Sequence, residues 1–195
     1  SRGLGDVYKR QALATLAFDG RRGKFFRREL FNALKIIDEG HISANNMKSG
    51  WAGAIGQAQF MPSSFLSYAQ DWDGDGKKDL WGNEKDVFAS IAFYLKSADW
   101  KNDITWGRQV LLPEDKNFFK LARNKKYLTL REWENLGVRN LDGSLLPERN
   151  LSARLITSET SKIAFLGYSN FDSILKWNRS IYFAASVGKL SDALR

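Results

Sequence analysis

The chain has no cysteine, one histidine, three prolines and two methionines in 195 residues. Without cysteine there is no disulfide, no thiolate nucleophile and no cysteine-ligated metal. With His41 as the only histidine, a multi-histidine zinc site is excluded and a Ser-His-Asp arrangement has a single possible base. His41 follows Gly40 just beyond a helix end and reads as a surface or capping residue. No apolar run approaches the ~20 residues of a membrane span, and no signal peptide is visible, so localisation is not readable from a targeting segment. There is also no internal repeat, no low-complexity tract and no block of five or six like charges.

Basic and aromatic side chains are plentiful. Thirty Lys and Arg face 22 Asp and Glu, giving +8 at pH 7, and 13% of residues are aromatic. Such a balance suits an anionic or sugar-like polymer, either nucleic acid or bacterial cell wall with its lactyl and peptide carboxylates. The cations are scattered singly or in pairs, which argues against a nucleic-acid arm. The length fits one ordinary domain, or one large and one small lobe.

Residues 1–11, SRGLGDVYKRQ, lack periodicity and read as disordered or as a foreign start. A short helix is expected from Ala12. Gly23 to Glu39 carries Phe26, Leu30, Leu34 and Ile37 at helical spacing, with Gly40 placed to end it. Pro62 opens a helix to about Gln70, buried through Phe65, Leu66 and Ala69. A further helix, capped by Asp86, has Val87, Ile91, Tyr94, Leu95 and Ala98 as its stripe. From Trp100 to Pro113 a loop leads into a short extended piece. Thr129-x-x-Glu132 is a capping box opening a short helix that Gly137 ends. Residues 139–150 are turn-rich, Ala153–Thr157 and Lys162–Gly167 form two strands of a small β-hairpin, and helices follow at about 171–177 and 180–190. The expected fold is mostly α, with a helical core and that small β element near the C-terminus.

The chemistry concentrates between Ser49 and Trp81. A run of small residues, Ala52 to Ala58, leads to Gln59-Phe60-Met61-Pro62, where another backbone or a ligand can come close. Then comes Asp71-x-Asp73-x-Asp75-Gly76, the opening of a calcium loop of EF-hand type. Carboxylates about 5 Å apart repel by roughly 3 kcal/mol per pair at an effective dielectric near 20, so an ordered loop of this kind wants a cation. Lys77 at the seventh position offers its backbone carbonyl and Asp79 stands at the ninth. The twelfth position is Gly82, so Glu84 or Asp86 must close the shell. A solvated Asp/Gly turn is the alternative.

With these residues in view the chain resembles the lytic murein transglycosylases of the membrane-bound B type, glycosidases of bacterial cell-wall glycan. The resemblance runs from about Ala12 to the end. It is carried by ALATLAF at 12–18, Arg21-Arg22, GWAGAIGQAQFMPSSF at 50–65, DWDGDGKKDLW at 71–81 and LKWNRSIYFA at 175–184. It implies a lysozyme-like α+β catalytic domain over 12–195 with a glycan groove. In the family a glutamate protonates the bond between N-acetylmuramic acid and N-acetylglucosamine, and the sugar's own 6-hydroxyl closes a 1,6-anhydro ring. One carboxyl suffices, because an intramolecular nucleophile replaces the second carboxylate of ordinary glycosidases.

The resemblance places the general acid upstream of Ala12, in a Val-Glu-Thr-like segment, so the chain is expected to be a fragment without a catalytic residue; Glu29, the first glutamate, matches a structural position. Implied glycan-binding residues are Arg21, Arg22, Gln59, Phe60, Met61, Tyr94, Trp177 and Asn178. Gly50 stands where a serine is often found, and Trp177 where a tyrosine is usual. Calcium is the implied cofactor, on Asp71, Asp73, Asp75, Lys77 and Asp86. The implied partner is peptidoglycan in the periplasm, not nucleic acid, with membrane contact, if any, only through an N-terminal anchor.

The residues alone leave other readings open. Phe60, Met61 and Tyr94 are equally spaced for core packing, Arg21-Arg22 for a solvated turn, and Asn178 for a helix cap, whereas Gln59 as a buried amide would need partners. The chain could be a non-catalytic peptidoglycan-binding module or a calcium-responsive interaction protein.

Overall fold

A computed structural model describes residues 12–18, 22–50, 52–114, 117–157 and 163–194. The chain divides into two compact units, Ser1–Tyr94 and Leu95–Arg195.

The first unit is helical. Helices α1 (Ala12–Phe18) and α2 (Gly23–Asp38) are followed by an irregular segment, then α3 (Pro62–Tyr68) and α4 (Glu84–Ser97), whose last three residues fall in the second unit. α2 buries Glu29, Ala33 and Ile36, while Leu34 is exposed. The stripe read from the sequence is thus offset by about one residue from the face that is buried. Leu30, Leu34 and Ile37 instead line, with Leu13, a groove of about 250 Å³. Gly40, in the left-handed region, ends α2 by donating its N–H to Ile37 O at 3.0 Å. α3 has Pro62 at its first turn and buries Pro62 and Phe65, with Ala69 buried just past its end and Leu66 only half-buried. α4 begins at Glu84, so Asp86 does not cap it. Asn83 does, its Oδ1 accepting the Lys85 N–H at 3.1 Å, which frees Asp86 to turn into the preceding loop.

The second unit holds more β structure than the sequence suggested. Strands β1 (Gly107–Leu111), β2 (Tyr127–Thr129), β3 (Arg139–Asn140), β4 (Ser152–Ile156) and β5 (Ala164–Gly167) form one antiparallel sheet in the order β2-β4-β5-β1-β3. β4 and β5 pair with Leu155 opposite Leu166, as central strands of this sheet, not as an isolated hairpin. The turn expected between them lies outside the described residues. α5 (Phe119–Arg123) and α6 (Leu130–Asn135) lie among the strands, and α7 (Ser169–Trp177) and α8 (Ile181–Ala193) follow them.

The capping box forms as read: Thr129 Oγ1 accepts the Glu132 N–H, and the Glu132 carboxylate accepts the Thr129 N–H at 2.7 Å. It sets Trp133 fully into the core, where the indole donates to Ala153 O at 2.9 Å. A second cluster gathers Phe171, Ile174 and Ala184 around Trp106. α8 reaches Trp106 through Gly188, where an added Cβ would stand 2.3 Å from the ring.

One ion pair ties the sheet to α7. The Arg154 side chain, 6% exposed, donates from Nε and Nη2 to Asp172 Oδ1 at 3.0 and 2.8 Å, and the Tyr127 hydroxyl donates to Asp172 Oδ2. Because Arg154 is buried and Asp172 is 41% exposed, the two ends are not equivalent. Asp172→Ala leaves a buried guanidinium without its counter-charge and should cost about 3 kcal/mol. Arg154→Met leaves a carboxylate that water can solvate and should cost much less. Urea denaturation of the two variants checks the order, and equal losses would contradict it.

Burial, then the hydrogen bond to Asp172, pushes the Tyr127 hydroxyl up to about 12. The folded state therefore holds this proton more tightly than the unfolded chain, whose tyrosine titrates near 10. Its contribution to stability is complete below pH 10 and lost as pH rises to about 12. Alkaline unfolding monitored by ultraviolet absorbance should lose this component in Tyr127→Phe.

Candidate functional site

The acidic loop is organised by its own backbone. Asp71 Oδ1 accepts from Gly74 N at 2.8 Å and Asp75 N at 3.2 Å, and its Oδ2 accepts from Gly76 N at 2.9 Å. Gly74 and Gly76 both take positive φ, 73° and 87°, which a Cβ would disfavour. Asp86 is fully buried, and its two oxygens accept the N–H groups of Trp72 and Asp79, each at 2.8 Å. Asp73 Oδ2 accepts from Asn83 Nδ2 at 2.7 Å. One carboxylate oxygen from each of Asp71, Asp73 and Asp86 lies within 4.8 Å of the others.

Asp75 is outside that group. Its Oδ1 accepts the Lys77 N–H at 2.8 Å, so Asp75 and Lys77 are engaged with each other. Of Glu84 and Asp86, Asp86 is the one that lies in this group with Asp71 and Asp73.

Two further residues secure the loop. Asp79 Oδ1 accepts from Trp81 N at 2.8 Å and Gly82 N at 2.9 Å. His41 is half-buried, not a surface residue, and its Nδ1 accepts the Lys78 N–H at 3.2 Å. Burial first, then the Lys78 ammonium, hold the imidazole below its usual range against the opposing Glu39 and Asp71 carboxylates. Only its place next to Gly40 pointed to it, and spacing gave no sign that the loop would return to it.

Beside this loop the small-residue run folds into a tight turn. Ile55 bridges both Ser49 and Phe60 in antiparallel fashion. Gly56 lies so close to Leu80 that an added Cβ would stand 2.7 Å from its carbonyl oxygen, and Gln57 N donates to that same oxygen at 2.7 Å. Gln59 takes φ 51°, a left-handed conformation costly for a side-chain-bearing residue. It is exposed, so the reading of a buried amide does not apply. Its Nε2 donates to Gly56 O at 2.8 Å, and a Cβ added at Gly50 would sit 3.1 Å from its Oε1. Ser49, Gly50, Gly56 and Gln59, with Lys48, Gln57 and Trp81, line a pocket of about 270 Å³.

The other expected site residues divide. Phe60 is 2% exposed with its ring 5.6 Å from Tyr94, so it belongs to the core and not to an open groove. Tyr94 is half-buried between Phe60 and Tyr68, the latter ring 4.7 Å away. Met61 is half-buried at the start of α3. Arg22 is exposed at the start of α2, its guanidinium 4.7 Å from the Phe25 ring centroid. Arg21 lies outside the described residues. Trp177 and Asn178 are in the second unit, where Trp177 ends α7 and Asn178 follows it, accepting the Ser180 N–H on Oδ1 at 3.0 Å.

Glu29 supports the turn from behind. It is fully buried, and its Oε2 accepts the Ser63 N–H at 2.8 Å, one of the free donors of the first turn of α3.

A helical body with an acidic loop between two helices, joined in sequence to an antiparallel sheet, is the fold of the lytic transglycosylases. The chain belongs to the transglycosylase SLT domain family, whose sequence model matches residues 2–192. It is 32% identical to the membrane-bound lytic murein transglycosylase B of Escherichia coli (strain K12), across 94% of this chain and 50% of that protein. The crystal structure of SltB3 from Pseudomonas aeruginosa in complex with NAG-anhNAM-pentapeptide matches with a TM-score of 0.89 and 41% identity, covering 95% of this chain and 50% of that one. Escherichia coli Slt35 in complex with calcium matches with a TM-score of 0.76 and 28% identity over 93% of this chain and 57% of that one. The chain thus spans about half the length of the curated relative it matches.

The contact behind the turn is testable. Glu29→Ala leaves the Ser63 N–H without an acceptor and should cost about 1–3 kcal/mol, whereas Glu29→Gln keeps an acceptor and should cost less. Thermal denaturation of both variants distinguishes the hydrogen bond from simple loss of volume.

Proposed function

We propose that this chain is the glycan-holding part of a peptidoglycan lytic transglycosylase, an enzyme that cleaves N-acetylmuramic acid–N-acetylglucosamine β-1,4 bonds and leaves 1,6-anhydro ends. The observation that carries the reading is the likeness to SltB3 bound to NAG-NAM-pentapeptide, with a TM-score of 0.90 and 41% identity. The pocket beside Gln59 supports it. An exposed carboxamide on a rigid turn can accept from a sugar hydroxyl or amide through Oε1 while its Nε2 remains tied to Gly56. Arg22, Met61 and Tyr94 of the same unit are proposed as further glycan-binding residues, and Trp177 and Asn178 of the second unit are proposed to bind glycan by themselves. Phe60 supports the turn from within the core. The setting implied is the bacterial periplasm, and among the described residues no helix is long and apolar enough to cross a membrane.

Acting alone, the chain should bind glycan without cutting it. No carboxylate among the described residues lines the Gln59 pocket, and Glu29 is buried with Oε2 committed to Ser63. The general acid that the resemblance implies falls before Ala12, outside the described residues. Incubation with purified sacculi should give sedimentation of the protein with the sacculi and no 1,6-anhydro products. Robust turnover would refute this part of the reading.

Calcium is proposed as the structural cofactor of the acidic loop. Asp71, Asp73 and Asp86 would hold it, a set of hard oxygen donors suited to such an ion. When bound, the ion supplies positive charge that offsets the repulsion among these carboxylates. Chelator should lower the melting temperature and added calcium should restore it, by the ordinary linkage of ligand binding to folding. Indifference to both would count against the site.

A further inference from the structure

The second unit carries a cleft of about 750 Å³, within the size range of small-ligand sites, that takes no part in the site described above. One wall is α6, where Arg131, Glu134 and Asn135 stand at i, i+3 and i+4 and so share a face. The other is segment 147–150, which supplies Glu148, Arg149 and Asn150. Leu130 and Leu146, both buried, complete the lining with apolar surface. Hydrogen bonds hold the two walls in place. Leu146 N donates to Glu134 Oε2 at 2.9 Å, Arg149 N to Pro147 O and Leu151 N to Arg149 O at 2.8 Å each, and Leu130 N to Leu151 O at 2.9 Å. A cleft fixed in this way gives up little freedom when it takes a ligand.

Its charges are balanced, two arginines against two glutamates, and none of the four is in an ion pair among the described residues. Arg149 commits one guanidinium N–H to Asp103 O at 3.2 Å, and the rest of its fork is open to a ligand. Asn135 and Asn150 are exposed, and each carboxamide carries a donor and an acceptor, the same pair that a peptide group presents.

We propose that this cleft binds a short peptide with both ends free. Arg131 and Arg149 take the terminal carboxylate, Glu134 and Glu148 take the terminal ammonium, and Asn135 and Asn150 pair with the amide groups between them. A polyanion is repelled by the two glutamates, and a neutral sugar makes no use of the charges, so a zwitterion of peptide length is what the polar groups match together. The site lies entirely in the second unit and does not depend on the glycan reading.

The test is an NMR titration of the chain as it stands with tetraalanine, its N-acetyl form, its C-amide form and the doubly blocked peptide. It is run at about pH 6.5, where the free peptide carries both charges. Free tetraalanine should bind about two- to fivefold more tightly than either singly blocked form, the range an exposed charge pair supports, and should shift amide resonances within 129–135 and 146–150. These preferences should shrink at about 0.5 M salt through screening. In Arg131→Met/Arg149→Met the penalty for C-amidation should vanish while that for N-acetylation persists, and in Glu134→Gln/Glu148→Gln the reverse should hold. The preference each variant retains shows that it is folded. Should a double variant not fold, the single variants Arg131→Met and Glu148→Gln, both at exposed positions, carry the same comparison. Equal binding of all the peptides by the unmodified chain, shifts confined to residues outside the cleft, or a penalty that survives in its matching variant overturns the proposal. None of these outcomes bears on sedimentation with sacculi, by which the glycan reading is judged.

Discussion

The first unit depends on a carboxylate placed where water does not reach. Asp86 has no exposed surface, and its two oxygens hold the Trp72 and Asp79 amides across the acidic loop. A buried charge of this kind is tolerable only when hydrogen-bonded or paired, and each bond to a charged acceptor outweighs a neutral one. From Asp79 the constraint continues: its own carboxylate holds the amides of Trp81 and Gly82, and Trp81 in turn carries Gln57 and the Lys48 carbonyl. Loop and pocket wall are therefore parts of one hydrogen-bonded assembly, and a change in the geometry of the first is transmitted to the second through the Asp86 and Asp79 carboxylates and the amides they hold.

Much of this is legible in the sequence. The Asp-x-Asp-x-Asp-Gly spacing identified the loop, and Thr129-x-x-Glu132 identified a cap that the structure contains to the atom. Pro62 marked the start of a helix. The failures share a cause. α2 was given an apolar stripe by counting hydrophobic residues, yet its buried face includes Glu29, a charged residue that periodicity scores as exposed. Asp86 suits both a helix start and the acidic loop by sequence, and the loop claims it while Asn83 takes the cap. Phe60 stands in the motif that suggests a groove, and its ring instead closes against Tyr94.

The sheet was under-read for a different reason. β2 and β3 are only three and two residues long, too short for alternation to register, and their pairing is decided by partners distant in sequence. What the composition offered instead were the glycines. Gly107 and Gly167 face each other across β1 and β5, and at Gly107 an added Cβ would sit 2.6 Å from the Leu166 carbonyl oxygen. Such positions record a close backbone approach and not a turn.

Gly56 records the same kind of approach, here between the turn that presents Gln59 and the exit of the acidic loop at Leu80. Backbone touching backbone leaves no adjustable layer between the two segments. Neither can lengthen, shift register or be exchanged for a homologous piece without the other, so evolution and protein engineering alike must move both segments together with the carboxylates of Glu29 and Asp86 that hold them.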